Sequence, residues 1–109
     1  MRQVRSRRHP RPASSWMFER EAHALRAMAH PKRLMIVDLL AHSAATVTGL
    51  AEELDLAMPN VSQHLRVMRD QGIVRAERSG HAVRYRLSNP ALGGCCARIR
   101  RILSQSYAE

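Results

Sequence analysis

Apolar residues along this chain recur first at helical spacing and then, over one stretch, at the alternating spacing of strands. From Trp16 to Ala29, the residues Phe18, Ala22, Leu25 and Ala29 share one stripe with Met28 beside it, while Glu19, Arg20, Glu21 and Arg26 point elsewhere. His30-Pro31 ends that helix, because the residue before a proline avoids the helical region. Pro31 then suits the first turn of a second helix running to about His42. Its Leu34, Ile36, Val37, Leu39 and Leu40 make it the segment expected to be most buried. Beyond a Ser43-Ala44-Ala45-Thr46 connection, a third helix is predicted over Val47 to Asp55, with Leu50, Ala51 and Leu54 inward. Leu56-Ala57-Met58 turns the chain into a fourth, which Pro59 opens and Gly72 stops.

The period then changes. Ile73 to Arg78 and Ala82 to Ser88 read as two strands around Ser79-Gly80-His81, with Val83, Tyr85 and Leu87 alternating with Arg84 and Arg86. This is a ribbon with arginines on one face and its apolar face on a core. Asn89-Pro90 breaks the strand and starts a last helix that ends near Tyr107. Leu92, Cys96, Ile99 and Leu103 form its stripe, widened by Ile102. Five helices and a hairpin in the order α1-α2-α3-α4-β1-β2-α5 describe a mainly α (α+β) winged helix-turn-helix. The first and last helices have no further partner in so small a domain. The simplest way to bury both is against a second copy, so a homodimer through those helices is expected.

The fourth helix carries the candidate chemistry. Val61, Leu65 and Met68 face inward, and Asn60, Ser62, Gln63, His64, Arg66 and Arg69 lie on the opposite side. Amides and guanidinium groups pair bidentately with purine edges in the major groove. Alone, such a face is equally an ordinary solvated surface. Between a helix and turn on one side and an arginine-bearing hairpin on the other, it reads as a recognition helix. Ser62, Gln63 and His64 are the expected base contacts, and Arg66, Arg69 and Arg84 the expected phosphate contacts. The hairpin would reach sideways with Arg78, His81, Arg84 and Arg86. A two-fold dimer would read an inverted repeat in double-stranded DNA, with half-sites about one helical turn (~34 Å) or a multiple apart.

Composition agrees with a polyanionic partner. In 109 residues, 18 Lys and Arg oppose 9 Asp and Glu, a formal charge of +9, and Lys32 is the only lysine. The charge is uneven: residues 1–15 hold Arg2, Arg5, Arg7, Arg8 and Arg11 with no acid. That stretch is expected to be a disordered basic arm, and residues 16–109 the DNA-binding and dimerisation domain. Arg7-Arg8 has the look of an export signal, but no apolar run follows it. No segment approaches the ~20 apolar residues of a membrane span, so a cytoplasmic protein is expected.

The chain also resembles a known family. Ala29-His30-Pro31-Lys32-Arg33-Leu34 followed by Ile36-Val37-Asp38-Leu39-Leu40, the run from Val61-Ser62-Gln63-His64-Leu65 to Gly72-Ile73-Val74, and the wing from Arg78 to Leu87 are similar to the ArsR/SmtB family. The resemblance covers about residues 17–105. It implies a dimeric winged-helix repressor of the kind released from DNA by metal ions or oxidised sulfur species. It also implies DNA contacts at Asn60, Ser62, Gln63, His64 and Arg66. One departure is Asp55 in the turn, where the family more usually has glycine.

The resemblance leaves the inducer open. Thr46-Val47-Thr48-Gly49 lacks the family's Cys-x-Cys, and the last helix has no His, Asp or Glu with which to hold zinc. Cys95 and Cys96 remain. Helix N-terminal N–H groups and the neighbouring Arg98 and Arg100 favour thiolates there, with His23 and His30 as candidate helpers. Three roles stay open: a site for a thiophilic metal or metalloid ion, a thiol responding to redox or reactive sulfur, and apolar packing alone.

Other classes fit less well. No Ser/His/Asp set, phosphate-binding glycine loop or His-x-x-x-His pair supports an enzyme. Trp16, Phe18, Tyr85 and Tyr107 lie off the recognition helix, which argues against single-stranded RNA.

Overall fold

The computed structural model describes the backbone of residues 14–108 and the side chains of residues 14–106. Of the arm expected at residues 1–15, only Ser14 and Ser15 fall within that range. The elements are α1 (Ser15–Met28), α2 (Pro31–His42), α3 (Val47–Leu54), α4 (Met58–Asp70), β1 (Val74–Ser79), β2 (Ala82–Leu87) and α5 (Ala91–Ala108). Their order is the expected one, and their ends lie within a residue or two of those read from periodicity.

Local chemistry sets those ends. His30 is extended (φ −153°, ψ 133°) ahead of Pro31, and its Nδ1 accepts the Lys32 N–H at 3.1 Å. Thr46 Oγ1 accepts the Gly49 N–H at 3.1 Å to cap α3, and Asn89 Oδ1 accepts the Ala91 N–H at 2.9 Å to open α5. Asp55 is left-handed (φ 55°, ψ 51°). Beyond it the Leu56 N–H returns to the Ala51 carbonyl at 3.0 Å. Gly72 (φ 74°) closes α4 in the same way, with the Ile73 N–H on the Met68 carbonyl at 2.9 Å. Aspartate is among the few side chains that tolerate this conformation. The departure from glycine at position 55 therefore leaves the helix-turn-helix bend in place.

The core forms around α2, whose Ile36 and Val37 are wholly buried. Leu50 of α3, Val61, Leu65 and Met68 of α4, and Ile73 and Val74 at the start of the wing surround it. No polar or charged residue is buried among the described residues. Strands β1 and β2 pair antiparallel, Val74 opposite Leu87 and Ser79 opposite Ala82. The segment expected to be a plain connection adds a single bridge on the other edge of β2: Ala45 and Tyr85 exchange backbone hydrogen bonds of 3.0 and 2.7 Å. Both edges of β2 are thus engaged, which ties the wing to the α2–α3 junction.

Helix α5 lies on α2 through a glycine. A Cβ at Gly93 would stand 2.5 Å from the Cβ of Ala41, whereas one at Gly94 would meet nothing within 4 Å. Gly93→Ala is therefore expected to cost about 1–3 kcal/mol by forcing the helices apart. Gly94→Ala should instead gain up to about 1 kcal/mol of helix propensity. Opposite shifts of the urea midpoint would bear this out, and equal gains would show that α5 yields freely. An exposed Arg100–Asp38 ion pair at 2.9 Å also joins α5 to α2.

The apolar stripe expected on α5 divides in two. Leu92 and Cys96 pack towards the core, but Ile99, Ile102 and Leu103 are all more than half exposed. Beyond Cys96 no α5 side chain joins the core among the described residues, and the exposed Arg100–Asp38 ion pair bridges that stretch to α2. On α1, likewise, Ala24, Ala27 and Met28 pack inward while Trp16, Met17, Phe18 and Leu25 stay exposed.

Candidate nucleic-acid interface

Helix α4 divides cleanly between its two faces. Val61, Leu65 and Met68 are at most 1% exposed and anchor it. Asn60, Ser62, Gln63, Arg66 and Arg69 are all exposed on the other side. None of the five hydrogen-bonds or ion-pairs through its side chain with another described residue. Their donors and acceptors are free for an external partner.

His64, expected among them as a base contact, sits differently. It is half-buried, and its ring centroid lies 4.7 Å from that of His30 at an angle of 50°. Its Nδ1 accepts the Arg33 Nε–H at 3.2 Å, and Arg33 Nη1 donates to the Ala27 carbonyl at 3.1 Å. Burial holds the His64 imidazole below the usual histidine range, and the positive charge of His30 and Arg33 adds to this. Arg33 and His30 are thus part of the recognition helix's seat. Sequence reading gave them no such role, because 31 residues separate Arg33 from His64 and no local period links them.

The wing presents two faces. Register places Arg75 and Glu77 of β1 beside Arg86 and Arg84 of β2 on one side. There Arg86 Nε is held by Glu77 at 2.9 Å, while Arg84, directly opposite Glu77, forms no ion pair among the described residues. Arg78 pairs with Val83 and so lies on the other face from Arg84. His81 is exposed in the turn beside Gly80 (φ 63°). Arg84, Arg78 and His81 therefore surround the hairpin tip.

The two cysteines part company. Cys95 is exposed and Cys96 buried. Burial pushes the Cys96 thiol up, more than the nearby Arg100 lowers it, and Cys95 adds to the rise. The help expected from the helix N-terminus does not reach the cysteines. The free N–H groups of Ala91, Leu92 and Gly93 are taken by the Asn89 side chain and the Asn89 and Pro90 carbonyls. His30, a candidate helper, is engaged with His64 instead. Among the described residues no group of three or more His, Cys, Asp or Glu is placed to hold a metal ion. No described helix is long and apolar enough to cross a membrane.

Known proteins share this arrangement. Residues 30–76, from the cap of α2 into β1, match the bacterial regulatory protein, arsR family. The HTH-type transcriptional regulator YgaV of Escherichia coli is 35% identical over 77% of this chain and 86% of its own length. The chain belongs to the ArsR family. It has the ArsR/SmtB winged helix-turn-helix fold, and its relatives are DNA-binding transcriptional regulators and not enzymes. The HTH-type transcriptional repressor SmtB of Mycobacterium tuberculosis is 39% identical over 73% of this ArsR-family chain, which spans 59% of SmtB's length. The crystal structure of the transcriptional repressor PagR of Bacillus anthracis superposes with a TM-score of 0.72. It is 36% identical and covers 79% of this chain and 99% of that one.

Proposed function

We propose that this ArsR-family chain is a repressor that binds an inverted-repeat operator as a two-fold dimer, acting in the cytoplasm. The observation that carries the reading is α4, whose inner side chains are locked in the core while Asn60, Ser62, Gln63, Arg66 and Arg69 stand exposed and uncommitted. Rigid support is what a base-reading side chain needs, since a loosely held one spends binding energy on its own ordering. Ser62 and Gln63 read base edges. Arg66, Arg69 and Arg84 hold phosphates, with Arg78 and His81 at the wing tip.

The dimer follows from what is left uncovered. Of the nine large apolar residues exposed among the described residues, seven lie on α1 or α5. A monomer has little reason to present Trp16, Phe18 and Leu25 at one end of its chain and Ile99, Ile102 and Leu103 at the other. A second copy covers them.

Gln63→Ala should cost roughly 1–3 kcal/mol on the cognate site and little on random DNA, whereas Arg84→Ala should weaken both alike and reduce the salt dependence. Fluorescence anisotropy titrations on both duplexes across salt concentrations would measure this. Equal losses for Gln63→Ala on the two DNAs would remove its base-reading role.

A further inference from the structure

We infer that His64 is a positioning residue and not a DNA contact, and that it joins His30 and Arg33 in a proton-sensitive latch holding the recognition helix against the α1–α2 corner. The inference rests on the DNA-binding reading above, but it concerns how α4 is held and not what α4 touches.

The hydrogen-bond directions carry it. The Nδ1 of His64 accepts from Arg33 Nε, and the Nδ1 of His30 accepts from the Lys32 backbone N–H. Arginine does not deprotonate in proteins and a backbone N–H has no acceptor capacity, so neither donor can reverse its role. Each neutral imidazole must then carry its proton on Nε2. A second proton can enter only at Nδ1, where it would face another N–H. It would break the bond and, at His64, set an imidazolium 3.2 Å from a guanidinium group. The two rings are themselves 4.7 Å apart, so charging one also opposes charging the other.

Nothing nearby offsets this. From the start of α2, the cap residue His30 and Arg33 meet the ring, with Lys32 between them in sequence. From α1, His23 and Arg26 line the groove beside Arg33 and are bonded to each other at 3.3 Å. From α4 itself Asp70 lines that groove, but no carboxylate forms an ion pair with His30, Arg33 or His64 among the described residues. The surroundings are cationic on balance.

One latch therefore spans three elements. Arg33 grips the last turn of α1 at the Ala27 carbonyl and α4 at His64, while His30 caps the helix that carries Arg33. The sign follows from burial: a histidine held neutral in the fold supports it fully above its ordinary value of 6.5, and that support is lost as pH falls below it. The latch thus gives acid weakening to a binding mode that charge alone would make acid-strengthened.

The test uses the full chain, with three measurements between pH 8 and 5.5: histidine ring NMR titration, urea unfolding, and binding to the cognate duplex. His64→Asn is the informative variant, because its Oδ1 can accept from Arg33 and does not titrate. Wild type is expected to show the Nε2–H tautomer at both rings, a urea midpoint that falls below pH 6.5, and operator affinity lower at pH 5.5 than at pH 8. His64→Asn should bind as wild type at pH 8 and lose most of the acid decline, whereas His81→Asn should keep or steepen it. His64 titrating at or above 6.5, or identical pH profiles for wild type and His64→Asn, would overturn the latch. A tenfold loss for His64→Asn at pH 8 with an unchanged urea midpoint would also overturn it and return His64 to the DNA. If wild type binds no duplex at pH 8, the DNA reading fails, and the NMR and urea measurements still decide the latch.

Discussion

Ile99→Asp combined with Ile102→Asp is expected to leave a folded monomer that has lost at least about 100-fold of its affinity for a two-half-site operator. Both side chains are more than half exposed, at 52% and 53%, on the part of α5 beyond its last core residue, Cys96, so neither change opens the core. In a two-fold interface each new carboxylate is buried opposite the same patch of its partner, which adds desolvation to like-charge repulsion. Two linked reading heads bind far more tightly than one, commonly by 10²- to 10⁴-fold, and a monomer forfeits that gain. Sedimentation velocity and binding to whole and half operators would measure both effects, with circular dichroism as the check on folding. A persistent dimer with wild-type affinity would show that the uncovered end of α5 is not the contact between copies.

Leu65→Ala is expected to have the largest effect on stability. Leu65 is 1% exposed and lies between Val61 and Met68 on the face that seats α4. Truncating a leucine in such a place removes its transfer energy and leaves a cavity, about 2–5 kcal/mol together. Against a typical total of 5–15 kcal/mol for a small domain, that is a large fraction. Urea unfolding should show a lower midpoint with an unchanged slope. Gln63→Ala, on the same helix but facing outward, should move the midpoint by less than about 0.5 kcal/mol. Similar midpoints for the two variants would mean that α4 is held by something other than its apolar face.

The fold was legible because its signals are local. The 3.6-residue stripes, the prolines at 31 and 59, the glycine at 72 and the alternation from Val83 to Leu87 each act within a few residues. What escaped is long-range or depends on where a neighbour ends. The Ala45–Tyr85 rung is a single backbone pair spanning 40 residues, too short to leave a pattern. The stripe on α5 runs on in sequence, but only the structure shows that the core meets it no further than Cys96. Periodicity did set Cys96 on the apolar stripe and Cys95 off it, and the structure buries the one and exposes the other.

The candidate site shows the same division. Asn60, Ser62, Gln63, Arg66 and Arg69 were readable from the side of the helix they occupy. His64 belongs to the same polar run, but it lies at the edge of the apolar face, where a neighbour decides its direction. Arg33 and His30 supply that neighbour from another helix. The face Arg78 takes, opposite to that of Arg84, depends on strand register, which pairs it with Val83 and which local periodicity does not fix.

The rung at Ala45 has a consequence for how the protein behaves in a crowded cell. It occupies the far side of β2 at Tyr85, whereas the outer side of β1 pairs with no strand among the described residues. An unpaired strand that projects from the body is a template on which other chains can stack. This one carries Arg75, Glu77 and Arg78 in four consecutive positions, so a second copy arriving edge to edge meets its own charges. The wing's charged residues thus also guard it against aggregation, and substitutions made there to alter DNA binding would be paid for in solubility.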